Sequence, residues 1–359
     1  MIAHRMKLYL LVSCLFFSRL AFAQADSSTV AYQHAYAVFD SALIGSRSLA
    51  FKEAVYLVEN TYLGGKIGHE RYDHYIKDLA ELAKDWEKFN PLSNYGYQDS
   101  NEVANNYAIY KLLKDTIKVF TSSTGGYLHL PYTYDFDDYS GEDEWSDMFV
   151  TKLMALHKGN CHSLPYLYKI LADELGAPCW LALAPNHMYI KNRCKSIGWY
   201  NTELTSGCFP IDAWIMASGY LPLKAIQNGI YMDTLSNTED ITLCVVDLAK
   251  AYEHKTHNYS DGFILNCCDL ALKYYPLNVQ AILMKAETLK RLYGREKAER
   301  HTSNKIIYRQ MEELYGQLFN LGYREMPDKM YQQWLMSVIK ERDKYSNNEV
   351  KEAIQDNKN

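Results

Sequence analysis

The stretch Lys158-Gly159-Asn160-Cys161-His162-Ser163-Leu164-Pro165 constrains this chain more than any other. A Gly-Asn turn is followed by a proline suited to the first turn of a helix, then by Leu167, Ile170, Leu171 and Leu175 at helical spacing. Gly176 and Pro178 stop the run. The spacing predicts a helix from about Ser163, with Cys161 at or just ahead of its N-terminus. Free N–H groups and the positive end of the helix dipole favour a thiolate there.

Three strands are expected next: Cys179 to Ala184, His187 to Asn192 and Ile197 to Leu204, with Arg193 to Ser196 as the hairpin between the last two. A thiol attacks a carbonyl only as thiolate, so it needs a base, and His187 at the start of the second strand is the candidate. An imidazole in that role needs an orienting acceptor on its other nitrogen. Alternation puts Trp199, Asn201 and Glu203 on one face of the third strand. Glu203 is the first choice for the acceptor and Asn201 the second. Cys161, His187 and Glu203 are therefore the expected catalytic residues, supported by Asn160 in the turn and by Asn201. Backbone N–H groups at Cys161 are expected to help hold an oxyanion. His162 invites a metal reading with His187 and Cys208. No close pair of ligands recurs at zinc-like spacing, so no metal or cofactor is expected.

The flanks read as helices. Ala50 to Val58, Tyr72 to Phe89 and Asn101 to Phe120 carry apolar residues at helical spacing, the last closed by a Ser122-to-Gly126 loop. The carboxylate-rich run Asp135 to Glu144 lacks the spacing of a helix-loop-helix calcium site, so it reads as a solvated loop capping a helix from Trp145 to His157. Residues 209 to 235 read as short helices and loops closing the site. Helices return from about Glu239, and Ser346 to Asn359 reads as a frayed polar tail.

Residues 1–23 have the pattern of a secretory signal: a basic start, an apolar run from Leu8 to Phe17, and Ala21-Phe22-Ala23 as a cleavage site. Later segments hold no apolar run long enough to span a bilayer. An exported protein, periplasmic or extracellular, without a transmembrane segment is expected. Of eight cysteines, Cys14 belongs to the leader. The remaining seven leave at least one thiol unpaired, with Cys161 the natural one. Cys194 and Cys208 either form a disulfide or are two separate buried thiols. The formal charge of −5, with no Lys/Arg-rich block, argues against a nucleic-acid partner. The 31 tyrosines are assigned mainly to interfaces between helices.

Together, Gly-Asn-Cys161-His-Ser-Leu-Pro, Leu-Gly176, Pro-Asn-His187 and Trp199-Tyr-Asn-Thr-Glu203-Leu-Thr205 resemble the transglutaminase-like superfamily, a branch of the papain-like cysteine fold. The resemblance covers roughly Phe149 to Trp214. It implies Cys161 as nucleophile and His187 as base, with Glu203-Leu204-Thr205 where that family has Asp-Pro-Thr. Leu248, Tyr252, Ala271, Tyr275-Pro276, Ala281 and Ala286 resemble a tetratricopeptide repeat. The expected fold is α+β: a papain-like core with a small antiparallel sheet, flanked by N-terminal helices and C-terminal helical repeats. The expected segments are 24–130, helical; 131–238, the core; 239–345, repeat-like helices; and 346–359, the tail. The expected function is hydrolysis or acyl transfer on a peptide or protein amide through an acyl-thioester on Cys161. The alternative is a non-catalytic scaffold that binds a protein partner through the C-terminal helices.

Overall fold

The computed structural model describes residues 29–121, 125–301 and 304–354. The leader, and with it the secretory reading, lies outside the described residues. The chain is α+β and mostly helical. The first helix, α1 (29–43), is followed by α2 (Phe51–Tyr62), α3 (His69–Phe89) and α4 (Ser100–Lys114). Helix α3 buries Tyr72, Ile76, Leu79, Ala80 and Ala83, one stripe at helical spacing.

The helix expected to reach Phe120 stops at Lys114. Ile117–Thr121 (β1) pairs antiparallel with Gly125–His129 (β2). The run Thr116-Ile117-Lys118-Val119 alternates and is β-branched, which favours a pleated strand over a helical turn. Two residues, Thr133–Tyr134 (β3), then pair in parallel with Lys158–Gly159 (β4). Between them, the helix expected over Trp145 to His157 is broken into a 3₁₀ turn, Trp145–Met148, and α5 (Val150–Leu156).

The carboxylate loop caps itself. Asp138 accepts the Glu142 and Glu144 N–H groups, and Asp135 accepts those of Asp137 and Asp138. Lys158 bridges Asp135 and Asp137, at 2.8 Å from each.

Helix α6 (Ser163–Glu174) is the centre of the molecule, with every residue from Ser163 to Ala172 buried. It is followed by the three-stranded antiparallel sheet β5 (Trp180–Ala184), β6 (His187–Cys194) and β7 (Gly198–Thr202), in the order β5-β6-β7. Two short helices follow, α7 (Asp212–Ser218) and α8 (Leu223–Gln227). The chain then runs through α9 (Asn237–Thr256), α10 (Phe263–Tyr274), α11 (Val279–Arg300), α12 (Lys305–Leu321), α13 (Asp328–Lys340) and α14 (Asn348–Ile354).

A continuous apolar cluster joins all these parts, from Tyr32 to Ile354. Tyr32 stacks edge-on against Tyr252 and donates its hydroxyl hydrogen to the Ala251 carbonyl, so α1 is seated on α9. The polar tail does not fray through 354. Asn347 N–H bonds the Phe209 carbonyl at 2.7 Å, and α14 buries Val350 and Ile354, a pair one turn apart. The cysteines of the described residues are all free thiols, so Cys194 and Cys208 are separate.

Gly159 in β4 lies against the side chains of Leu153 in α5 and Ser163 in α6. A Cβ there would sit 2.6 Å from both Leu153 Cδ1 and Ser163 Oγ. Gly159→Ala is therefore expected to destabilise the fold by about 1–3 kcal/mol, the cost of overpacking a close approach. Thermal unfolding checks this; an unchanged midpoint would show that the segment yields freely.

Candidate active site

The turn before α6 is fixed by Asn160, which is completely buried. Its Oδ1 accepts the N–H groups of His162 and Ser163, each at 3.0 Å, capping the free end of α6. Its Nδ2 donates to the Tyr139 carbonyl and the Met148 sulfur. Ser163 Oγ accepts the Asn160 N–H in return, at 3.1 Å. Cys161 is thereby held two residues ahead of the helix.

His187 opens β6 directly after Asn186, which takes a left-handed φ of 53° that asparagine tolerates. Its Nε2 lies 2.6 Å from Glu203 Oε2, and both side chains are 2% exposed. The register pairs Lys191 with Asn201, so extending it sets Glu203 opposite Tyr189 and diagonal to His187 on the same face. The second oxygen of Glu203 accepts the Thr205 N–H at 2.7 Å, which fixes the carboxylate in the turn after β7. Nδ1 of His187 has no hydrogen-bond partner among the described residues, and Cys161 is a side chain on which the ring acts electrostatically.

The electrostatics follow from burial against pairing. Burial alone would push the Cys161 thiol up, but the neighbouring His187, and after it the Tyr331 and Tyr134 hydroxyls, hold it below the ordinary thiol range. Burial would lower His187; the Glu203 carboxylate and the thiolate raise it instead. Burial would raise Glu203, and the imidazolium lowers it. The arrangement stabilises a thiolate–imidazolium pair over neutral thiol and imidazole.

Asn201 does not join this group. Its Nδ2 bonds the Pro210 carbonyl at 3.0 Å and Asp212 Oδ1 at 2.7 Å, tying down the start of α7. His162 also faces away from a ligand role. Its Nδ1 meets the Met148 carbonyl at 2.9 Å and its Nε2 meets Asp247 at 3.1 Å. Both partners are acceptors, which favours the doubly protonated ring, and the Asp247 charge raises His162 against the lowering effect of burial. Asp247 also accepts from Tyr166 at 2.8 Å. No three His, Cys, Asp or Glu side chains among the described residues are grouped to hold a metal.

What covers the sulfur carries no mark in the sequence. Tyr331, from α13, places its hydroxyl 3.3 Å from Cys161 Sγ. Trp334, one turn on, packs edge-on against the His187 ring at 4.7 Å. Tyr134 is buried in the same cluster, with its hydroxyl beside Cys161 and Tyr331. A cleft of about 290 Å³ opens beside the sulfur. Leu243, Val246 and Leu283 form an apolar wall, and Asp247, Lys250 and Glu325 supply charge.

No family model matches this chain, and no curated protein matches it. Among solved structures, menin is similar over 90% of each chain, at 10% identity and a TM-score of 0.32; its structure is described as revealing the binding site for Mixed Lineage Leukemia (MLL) protein. The observed fold, with no family model matching it, corrects the resemblance drawn from the sequence. The chain is a mainly helical molecule with a three-stranded sheet, not a papain-like core of the transglutaminase-like superfamily. The repeat resemblance is corrected as well. Helices α9 to α12 have 20, 12, 22 and 17 residues, which is no regular two-helix unit. The motifs that carried both resemblances are short. They fix local turns and the surroundings of Cys161, while the topology is set by the helices around them. Among the described residues no helix is long and apolar enough to cross a membrane.

Proposed function

We propose that this chain is a cysteine-dependent acyl-transfer enzyme acting on an amide, with Cys161 as nucleophile, His187 as base and acid, and Glu203 orienting the imidazole. The observation that carries this reading is the buried His187–Glu203 pair at 2.6 Å, with the free face of the imidazole turned to a half-buried thiol at the edge of a cleft. In the proposed reaction the thiol proton passes to His187 Nδ1 and the thiolate attacks the carbonyl carbon. The carbonyl π pair moves onto oxygen. Its return expels the amine, which takes the proton from His187, and an acyl-thioester remains on Cys161. Water or a second amine then takes the acyl group. The signal-like leader supports an exported site of action, and so a substrate among exported peptides or cell-wall fragments.

A panel of such peptides and fragments, incubated with the protein and examined by intact mass, tests this. An acyl adduct on Cys161 that disappears in Cys161→Ala and His187→Ala is the expected result. No adduct, together with equal alkylation of every accessible cysteine, would overturn it.

A second reading is a scaffold that binds a protein partner. What favours it is a surface groove of about 440 Å³ between α7 and α13, lined by Trp214, Tyr220, Met330 and Trp334, with Tyr220 67% exposed. This reading leaves the paired charges beneath Trp334 without a use.

A further inference from the structure

The acyl-transfer reading leaves the developing oxyanion without an assigned side-chain donor, and the roof over the sulfur offers one. We propose that Tyr331 is a catalytic residue, whose hydroxyl donates a hydrogen bond to the Cys161 thiolate before attack and to the substrate's carbonyl oxygen once the carbon–sulfur bond has formed. This inference rests on the function proposed above.

The position of Tyr331 is built. It is 1% exposed, with its hydroxyl 3.3 Å from Sγ. Its ring lies between Tyr139, at 5.0 Å, and Trp334, at 5.3 Å. Trp334 in turn rests on the His187 ring, so α13 touches both reacting side chains. The approach to the helix is anchored twice. Asn186 Nδ2, next to His187, donates to the Met326 carbonyl at 3.1 Å. Gly322 turns the chain with a φ of 83°, where a Cβ would meet the Ala225 nitrogen at 2.9 Å. Burial and the neighbouring thiolate push the Tyr331 hydroxyl well above its ordinary value, so it keeps its proton and acts as a donor.

The chemistry balances with the proton remaining on tyrosine throughout. As the C–S bond forms, sulfur gives up its charge and the carbonyl π pair moves to oxygen. That oxygen sits on the carbon bonded to sulfur, so a donor already at the sulfur reaches it through a small shift. The competing view of the same contact is a plug, in which Tyr331 only blocks the thiol.

Tyr331→Phe separates the two, since it keeps the packed ring and removes the hydroxyl. Two readouts on the full chain apply: the pH profile of Cys161 alkylation by iodoacetamide, and the rate of Cys161 acetylation by p-nitrophenyl acetate at a pH where the thiolate is fully formed. The expected result is an alkylation midpoint moved to higher pH and an acetylation rate lowered by about tenfold or more. Alkylation and acetylation at or above the wild-type rate would overturn the proposal in favour of a plug. Thermal unfolding of the variant checks that the ring still packs. If wild-type Cys161 shows no enhanced alkylation and His187→Ala does not slow it, the acyl-transfer reading itself fails. If the wild type is activated and Tyr331→Phe matches it, only the role given to Tyr331 fails.

Discussion

His187→Ala is expected to slow alkylation of Cys161 at pH 7 by roughly tenfold to a hundredfold, because a thiol without its imidazolium is only a few per cent ionised there. The direction follows from the two opposed effects on Cys161. Burial raises the thiol, and His187 opposes it more strongly than the Tyr331 and Tyr134 hydroxyls do, so removing the ring leaves burial opposed by the hydroxyls alone. In the wild type, reactivity is present above the lowered thiol value and is lost as pH falls through it. In the variant that midpoint moves up. Glu203→Gln keeps a neutral hydrogen-bonding group at the imidazole but removes the charge, and its profile should fall between the two. Rates of iodoacetamide labelling across pH, read by peptide mass, decide this. Superimposable profiles for wild type and His187→Ala would show that the imidazole does nothing for the sulfur.

The largest expected effect on stability lies away from the cleft. Glu59 is 3% exposed, and its two oxygens accept the Val150 and Thr151 N–H groups at 2.7 and 2.9 Å, capping α5 from a helix nearly a hundred residues earlier. Glu59→Ala leaves two buried donors without partners, at about 1–3 kcal/mol each, and should lower the melting temperature by roughly 5 °C or more. Burial also pushes the Glu59 carboxyl up to about 7. A raised carboxyl contributes stability that is complete below the ordinary carboxylate range and is lost as pH rises through the folded value. Melting temperature should therefore fall as pH passes upward through about 7. Asp240, raised to about 7 by its own burial, acts with the same sign. In Glu59→Gln the slope should shrink but not vanish. A Glu59→Ala protein as stable as wild type would mean that water replaces the lost cap.

What could be read from the sequence was local. Asn160, Cys161 and the start of α6 lie within one turn, and the hairpin after His187 fixes the parity of Glu203, so short-range rules reach all three groups of the proposed site. Parity alone did not say where Asn201 would bond, because Asp212 and Pro210 arrive from a loop whose path no periodicity describes. The strand at Ile117 was hidden in a short apolar run that fits either period. Beyond these, the partners come from remote parts of the chain. Asp247 meets His162, and Tyr331 meets Cys161 from 170 residues away. A tyrosine or tryptophan on an amphipathic helix carries no mark of which distant side chain it will cover. The familial resemblance rested on those same local motifs, and so extended no further than they do.

The seat of α13 over the sulfur has a consequence for the order in which the molecule comes into being. Ribosomes deliver Cys161, His187 and Glu203 well before the helix that closes over them. A half-made chain, or one clipped behind α12, would hold its thiol uncovered and without the hydroxyl assigned to it here. Competence in the proposed acyl transfer would then wait for α13, which is made after all three of those groups.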